Sequence, residues 1–97
     1  MRIIARRTLE EYGRKYQEAE ETLQAWYADT KRANWQKPTD ITGTCSNART
    51  IPNNRVVFNI KGNKYRLVVL VLYDSRRVLI RWFGKHSEYD KIDATTI

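Results

Sequence analysis

The chain has 97 residues, one cysteine and a formal net charge of +7, with an isoelectric point near 9.8. That length encloses one modest core and not two, so a single domain over residues 1–97 is expected. The lone thiol, Cys45, excludes an internal disulfide and suits a reducing compartment.

The charge points to an anionic partner (nucleic acid, an acidic protein or a membrane surface), although a basic balance also serves solubility alone. The opening Met1-Arg2-Ile3-Ile4-Ala5-Arg6 is too short and too soon charged for a signal peptide. The longest apolar run, residues 67–73, is strand-sized and far short of a spanning helix. A cytoplasmic chain with no membrane partner is the expectation.

Ile3 and Ile4 suggest a short opening strand. Thr8-Leu9-Glu10-Glu11 fits a capping box, Thr8 accepting from an early helix N–H and Glu11 reaching back. It predicts a short helix weakened or ended at Gly13. A longer helix is predicted from near Gln17, because Ala19, Leu23, Trp26, Tyr27, Thr30 and Ala33 step by three and four along one stripe. Glu18, Glu20 and Glu21 sit in its first turn and Lys31 and Arg32 in its last, which complements the helix dipole. Trp26 and Tyr27 read as core that packs on a sheet. From residue 36 to 54 the pattern dissolves. Pro38 with Thr39 and Asp40 predicts one helical turn, and the rest is loop chemistry. So long a connection is a place to meet a partner. Cys45, between Thr44 and Ser46, reads as incidental and not as a nucleophile.

Residues 55–92 carry three strand patterns. Gly62-Asn63 predicts a hairpin that places Lys61 opposite Lys64, Asn59 opposite Arg66, Val57 opposite Val68 and Arg55 opposite Leu70. A second hairpin at Asp74-Ser75 places Leu72 opposite Arg77, Leu70 opposite Leu79, Val68 opposite Arg81 and Arg66 opposite Phe83. Alternation then assigns Val56, Phe58, Ile60, Tyr65, Leu67, Val69, Val71, Val78, Ile80 and Trp82 to a buried face. The opposite face receives Arg55, Asn59, Lys61, Lys64, Arg66, Arg77, Arg81 and Lys85, interleaved with Val57, Val68, Leu70, Leu79 and Phe83. No acid joins them within the strands, whereas a merely solvated face carries mixed signs. Lys61 across from Lys64 is locally unfavourable unless an anion sits there. A phosphate-binding face accounts for this best. Its far end, with Leu70, Leu72 and Leu79, is apolar and offers a contact surface for a protein partner.

The same register brings His86 out beside Lys61, Lys64 and Arg66, with Tyr89 and Asp90 in the turn that follows. Each has a dull explanation alone: a surface histidine, a core anchor, a turn cap. Beside fixed cations they suit proton transfer. One His, one Cys and scattered acids give no metal-ligand spacing, and no Gly-rich phosphate loop or Ser–His–Asp set occurs, so neither metal nor other cofactor is expected. RNA cleavage fits such groups. The ribose 2′-hydroxyl attacks its own phosphate, a base takes the proton, cations stabilise the phosphorane and an acid protonates the leaving oxygen. DNA lacks that hydroxyl.

Four segments (RIIARRTL, AWY of the long helix, RVVFNIKGNKYRLVV and GKHSEYDKID) make the chain resemble the HigB family of bacterial toxins, within the RelE/ParE superfamily. The resemblance implies an α+β, RelE-like fold, two N-terminal helices on one face of a small, mainly antiparallel sheet. It implies cleavage of mRNA in the ribosomal A site, and neutralisation by a helix-turn-helix antitoxin of the HigA kind that also binds operator DNA. Arg66, in KYRL, matches a position that contacts the scissile phosphate, and Lys61 one that stabilises transition-state charge. His86 and Tyr89, with Asp90 beside them, fall where these toxins keep acid–base and base-stacking groups. Asn59, Lys64, Arg81, Lys85 and Arg55 are the accompanying RNA-binding candidates. RelE itself uses arginine and lysine where this chain has His86, so the general acid stays open. Two other readings stand beside the nuclease: a ParE-like gyrase inhibitor, for which the His86–Tyr89 cluster is dispensable, and a non-enzymatic RNA- or ribosome-binding module.

Overall fold

Apolar alternation along the middle of the chain builds the centre of the fold. A computed structural model describes residues 1–97. Its strands are β1 (Arg2–Ile4), β2 (Ala48–Ile51), β3 (Arg55–Ile60), β4 (Tyr65–Leu72) and β5 (Arg77–Lys85). They form one sheet in the order β1-β5-β4-β3-β2. Only β1 runs parallel to its neighbour; every other pairing is antiparallel. The helices are α1 (Arg6–Lys15), α2 (Glu20–Arg32), the short α3 (Pro38–Thr42) and α4 (His86–Tyr89), with a 3-10 turn at Gln17–Ala19 before α2. The fold is α+β, as the alternation and the helical stripe imply.

Leu9 of α1 and Leu23 and Trp26 of α2 meet Val56, Phe58, Ile60, Leu67, Val69, Val71 and Val78 of the sheet in one buried cluster. Each such side chain contributes about 1.5–3 kcal/mol on full burial, so this helix-on-sheet layer dominates stability. Thr30 is buried on the same stripe and Tyr27 and Ala33 are half-buried.

The first helix departs from expectation at both ends. It starts at Arg6 with Ala5 as N-cap and no side-chain cap, so Thr8 lies inside the first turn and the capping box does not form. Pairs Arg6–Glu10 and Arg7–Glu11 support that turn instead. Nor does Gly13 stop the helix. A Cβ there would lie 3.1 Å from Cγ of Glu20, so the glycine serves the close approach of α2. The expected loop after α3 also contains a strand: β2 adds to the sheet edge beside β3.

The β3–β4 register is the expected one, Asn59 opposite Arg66 and Val57 opposite Val68. The β4–β5 register follows expectation only as far as Leu72–Arg77 and Leu70–Leu79. Between Val68 and Val69 it shifts by one residue, so that Val68 faces Trp82, Leu67 faces Phe83 and Arg66 faces Gly84. Arg81 is left as the extra residue of the bulge. A one-residue slip exchanges the faces of everything beyond it. Phe83 therefore joins the core, stacked on Tyr65 with centroids 5.4 Å apart. Trp82 turns to the opposite face, 6.1 Å from Tyr89. Gly84 makes room for it, since a Cβ there would sit 2.8 Å from the Trp82 ring. Phe83→Ala is accordingly expected to cost about 3–5 kcal/mol, and Trp82→Ala clearly less, in denaturant unfolding. The reverse order would restore the unbulged register.

The open face is only partly open. Ala94 of the C-terminal segment is buried against Val57 and Val68. Arg55 donates to the main-chain oxygen of Ile97 at 2.6 and 3.2 Å, and Asn53 to that of Thr95 at 2.9 Å. The tail thus covers Val57 and Val68 of this face, while Leu70, Leu72 and Leu79, the apolar end expected to meet a partner, are half-buried and outside that cluster.

Candidate functional site

The turn after β5 forms α4, a helix of four residues. So short a helix does not hold itself, and contacts of three of its residues hold it. The His86 N–H donates to the Lys64 carbonyl at 2.9 Å. The Glu88 carboxylate accepts from the Lys85 N–H at 2.8 Å and from the Tyr16 hydroxyl at 3.3 Å. Tyr89 packs on the small cluster of Val57, Val68 and Ala94.

The Lys85 N–H above all, and then the Tyr16 hydroxyl and nearby Lys15 and Lys85, hold the Glu88 carboxyl below its ordinary value of 4.5. A depressed carboxyl stabilises the fold fully above the unfolded value and loses that contribution as pH falls through the folded value. The clasp should therefore loosen once the pH drops below 4.5. Glu88→Ala should loosen it already at neutral pH. The readout is hydrogen-exchange protection of the Asp90 amide, which donates to the His86 carbonyl; unchanged protection in the variant would show that Glu88 does not hold α4.

Held this way, α4 closes one side of a cleft of about 370 Å³ on the sheet's open face. Asn59 and Arg66 line its floor, His86, Tyr89 and Asp90 one wall, and Asn47 and Arg49 of the β2 edge the other. His86 Nδ1 lies 3.5 Å from the Asp90 carboxylate. The Arg66 guanidinium stands over the Tyr89 ring, 6.0 Å from its centroid. It is held by the Asn63 side chain at 2.9 Å and by the carbonyls of Asn63 and Tyr65. Arg49 donates to the Tyr89 hydroxyl at 3.2 Å. The cleft therefore combines an imidazole–carboxylate pair, a phenol and two guanidinium groups, enough for proton transfer beside a stabilised oxyanion.

The remaining candidates lie outside this cleft. Lys61 is in the β3–β4 turn with φ of 56°, where strand alternation no longer governs its side chain. Lys64 is paired with Glu18 at 3.4 Å. The Glu18 carboxyl is held low first by the Tyr65 hydroxyl and then by Lys64 and Lys61. The same bond pushes the Tyr65 phenol up. The anion that the Lys61–Lys64 juxtaposition calls for is thus supplied within the chain, by Glu18. Lys85 follows Phe83 through the bulge and pairs with Tyr65, on the helical side of the sheet. Arg81 is exposed at the bulge. Arg55 is engaged by the C-terminal segment.

A larger cleft, about 790 Å³, lies between α2, α3 and β3 over Trp26, Trp35 and Phe58. Its carboxylates are spoken for: Asp29 pairs with Arg32, and Asp40 accepts from the Gln36 N–H. With no imidazole and no free cation cluster it suits packing more than catalysis, so the smaller basic cleft is the candidate. No three His, Cys, Asp or Glu side chains converge anywhere in the chain. No helix is long and apolar enough to cross a membrane.

Arg49 is the residue that sequence reasoning missed. The ARTI segment shows no clean alternation, so neither its strand nor its face was legible.

Comparison with known proteins points the same way. Residues 19–92 match the sequence profile of a family described as HigB_toxin, RelE-like toxic component of a toxin-antitoxin system. The chain is similar to the mRNA interferase HigB of Escherichia coli O6:H1, 26% identical over 94 residues, which is 95% of this chain and 91% of that protein. It is also similar to the mRNA interferase toxin HigB of Escherichia coli K12, 26% identical over 92 residues, 93% of this chain and 88% of the relative. The mRNA interferase HigB of Shigella flexneri matches with the same identity and coverage.

Proposed function

The chain belongs to the HigB toxins, RelE-like toxic components of toxin–antitoxin systems, and from that membership we propose that it is a ribosome-dependent mRNA interferase acting through the α4 cleft. The observation that carries the site is the convergence of His86, Asp90, Tyr89 and Arg66 on one basic concavity. In the reaction the ribose 2′-hydroxyl attacks the adjacent phosphorus. Its proton passes to a base of the cleft, the bond to the 5′-oxygen breaks, and that oxygen takes a proton from an acid of the cleft. A 2′,3′-cyclic phosphate and a 5′-hydroxyl result. Arg66 stabilises charge on the phosphorane, and His86, polarised by Asp90, exchanges protons with the reacting oxygens. Tyr89 offers a stacking surface and a second hydroxyl. Lys61, outside the cleft, adds to the long-range attraction for RNA, while Lys64 is engaged by Glu18. No metal takes part in these steps.

The cleft is small and open against a length of RNA, and it has few surfaces to splay a strand into in-line geometry. An assembly that already holds the message supplies that orientation, which is where much of the barrier lies. Hence the ribosomal A site, in the cytoplasm, is the expected place of action. The expected partner is a helix-turn-helix antitoxin of the HigA kind, through which the complex reaches operator DNA.

Cleavage of a defined mRNA by the purified chain, with and without programmed ribosomes, tests this reading. Cuts confined to ribosome-bound message support it. Intact message from a chain that is toxic in cells would sink it and favour gyrase inhibition or plain ribosome binding.

A further inference from the structure

The proposed chemistry leaves Arg49 without a role, yet the fold holds it at the cleft. Arg49 pairs with Val57 across β2 and β3, on the face that Val57 shares with the α4 cleft. The start of its strand is pinned there: Asn47 donates to the Asn59 carbonyl at 2.9 Å, and the Asn59 N–H donates back to Asn47 at 2.9 Å. A guanidinium has five N–H donors. Arg49 spends one on a neutral phenol and forms none of the chain's ion pairs. The carboxylate of the cleft, Asp90, is turned to His86.

Two guanidinium groups thus converge on Tyr89, Arg66 over its face and Arg49 at its hydroxyl, and neither has an internal anion. Single-stranded RNA presents a phosphate at every nucleotide, with bases free to stack on an aromatic ring. We propose that Arg49 is a substrate-binding residue. It holds the RNA phosphate that neighbours the scissile one, while Arg66 holds the scissile phosphate and the Tyr89 ring lies between them. This rests on the reading of the cleft as an RNA-cutting site and adds to it the strand's second anchor. Planar, forked donors suit a phosphate better than an ammonium.

The test measures binding of a short, fully 2′-O-methylated RNA, which cannot be cut, to the whole chain across a series of salt concentrations. Wild type, Arg49→Gln, Arg49→Lys and Arg7→Gln are compared, the last an exposed residue of α1, outside the cleft. Loss of one phosphate contact should lower the slope of log affinity against log salt by about 0.7 for single-stranded RNA. We expect that loss in Arg49→Gln, little change of slope in Arg49→Lys, and the wild-type slope in Arg7→Gln. A wild-type slope in Arg49→Gln would overturn the proposal, even if its cleavage were slow, because Arg49 would then act only through Tyr89. An equal loss in Arg7→Gln would also overturn it, since diffuse charge would explain both. Failure of the wild-type chain to bind free RNA would overturn the proposal too, since Arg49 would then hold no phosphate by itself, while ribosome-dependent cutting would still stand or fall on the cleavage assay.

Discussion

Arg66→Ala should lower the rate of RNA cleavage by roughly 10²–10³-fold and leave the fold intact. Arg66 is the second residue of β4, paired with Gly84 on one side and Asn59 on the other, so its Cα position is set by the sheet. Its guanidinium is oriented by Asn63 and the Tyr65 carbonyl, all neutral acceptors, and no carboxylate neutralises it. A preoriented and uncompensated cation is what a phosphorane requires, because no reorganisation is needed as charge develops. The side chain is half-buried and outside both apolar clusters, so its removal should change thermal stability little. Arg66→Lys keeps the charge and loses the fork; an intermediate rate is expected. Single-turnover cleavage on programmed ribosomes, with a melting curve of each variant, decides the matter. A variant that folds and cuts at the wild-type rate would remove Arg66 from the chemistry.

His86→Ala should slow the same step by roughly 10²–10⁴-fold, the range of a lost general acid or base. His86 is the chain's only histidine. Its Nδ1 faces Asp90 at 3.5 Å, which leaves Nε2 as the nitrogen free to exchange a proton with substrate. Asp90→Asn should cost less, since it removes the polarising charge and keeps the imidazole. A structural role would lower activity together with the melting temperature. A proton-transfer role slows single-turnover cleavage in a fully folded His86→Ala chain, and added imidazole restores part of the rate. If His86→Ala cut at the wild-type rate, Tyr89 would be the remaining proton donor or acceptor of the cleft. Retained toxicity with no cutting in any variant would instead match a gyrase inhibitor.

Much of this site was legible before the fold because its information is local. The Gly62-Asn63 turn and the alternation on either side set Asn59 opposite Arg66, and the short turn from β5 into α4 keeps His86, Tyr89 and Asp90 together. The apolar stripe of α2 and the buried face of β3 and β4 were equally plain, since period and burial share one cause. What failed to show was non-local. The run Arg81-Trp82-Phe83-Gly84 reads well in either strand phase, because it offers an aromatic to both faces. Packing chose between them: Phe83 fits among Tyr12, Tyr16 and Tyr65, while Gly84 admits the Trp82 ring to the other side.

That one bulge carried Lys85 away from the open face. Glu18, distant in sequence, drew Lys64 to itself. Arg55 went to the chain's own tail. Arg49 arrived from a segment without periodicity, brought in by edge pairing with β3. The sequence by itself thus determined the fold class, the central hairpin and the list of chemically able residues, all of which follow from short-range pattern. Which cations stand free beside His86, and which are already neutralised, was decided only by the tertiary structure, because charge pairing depends on distances across the fold and not along the chain.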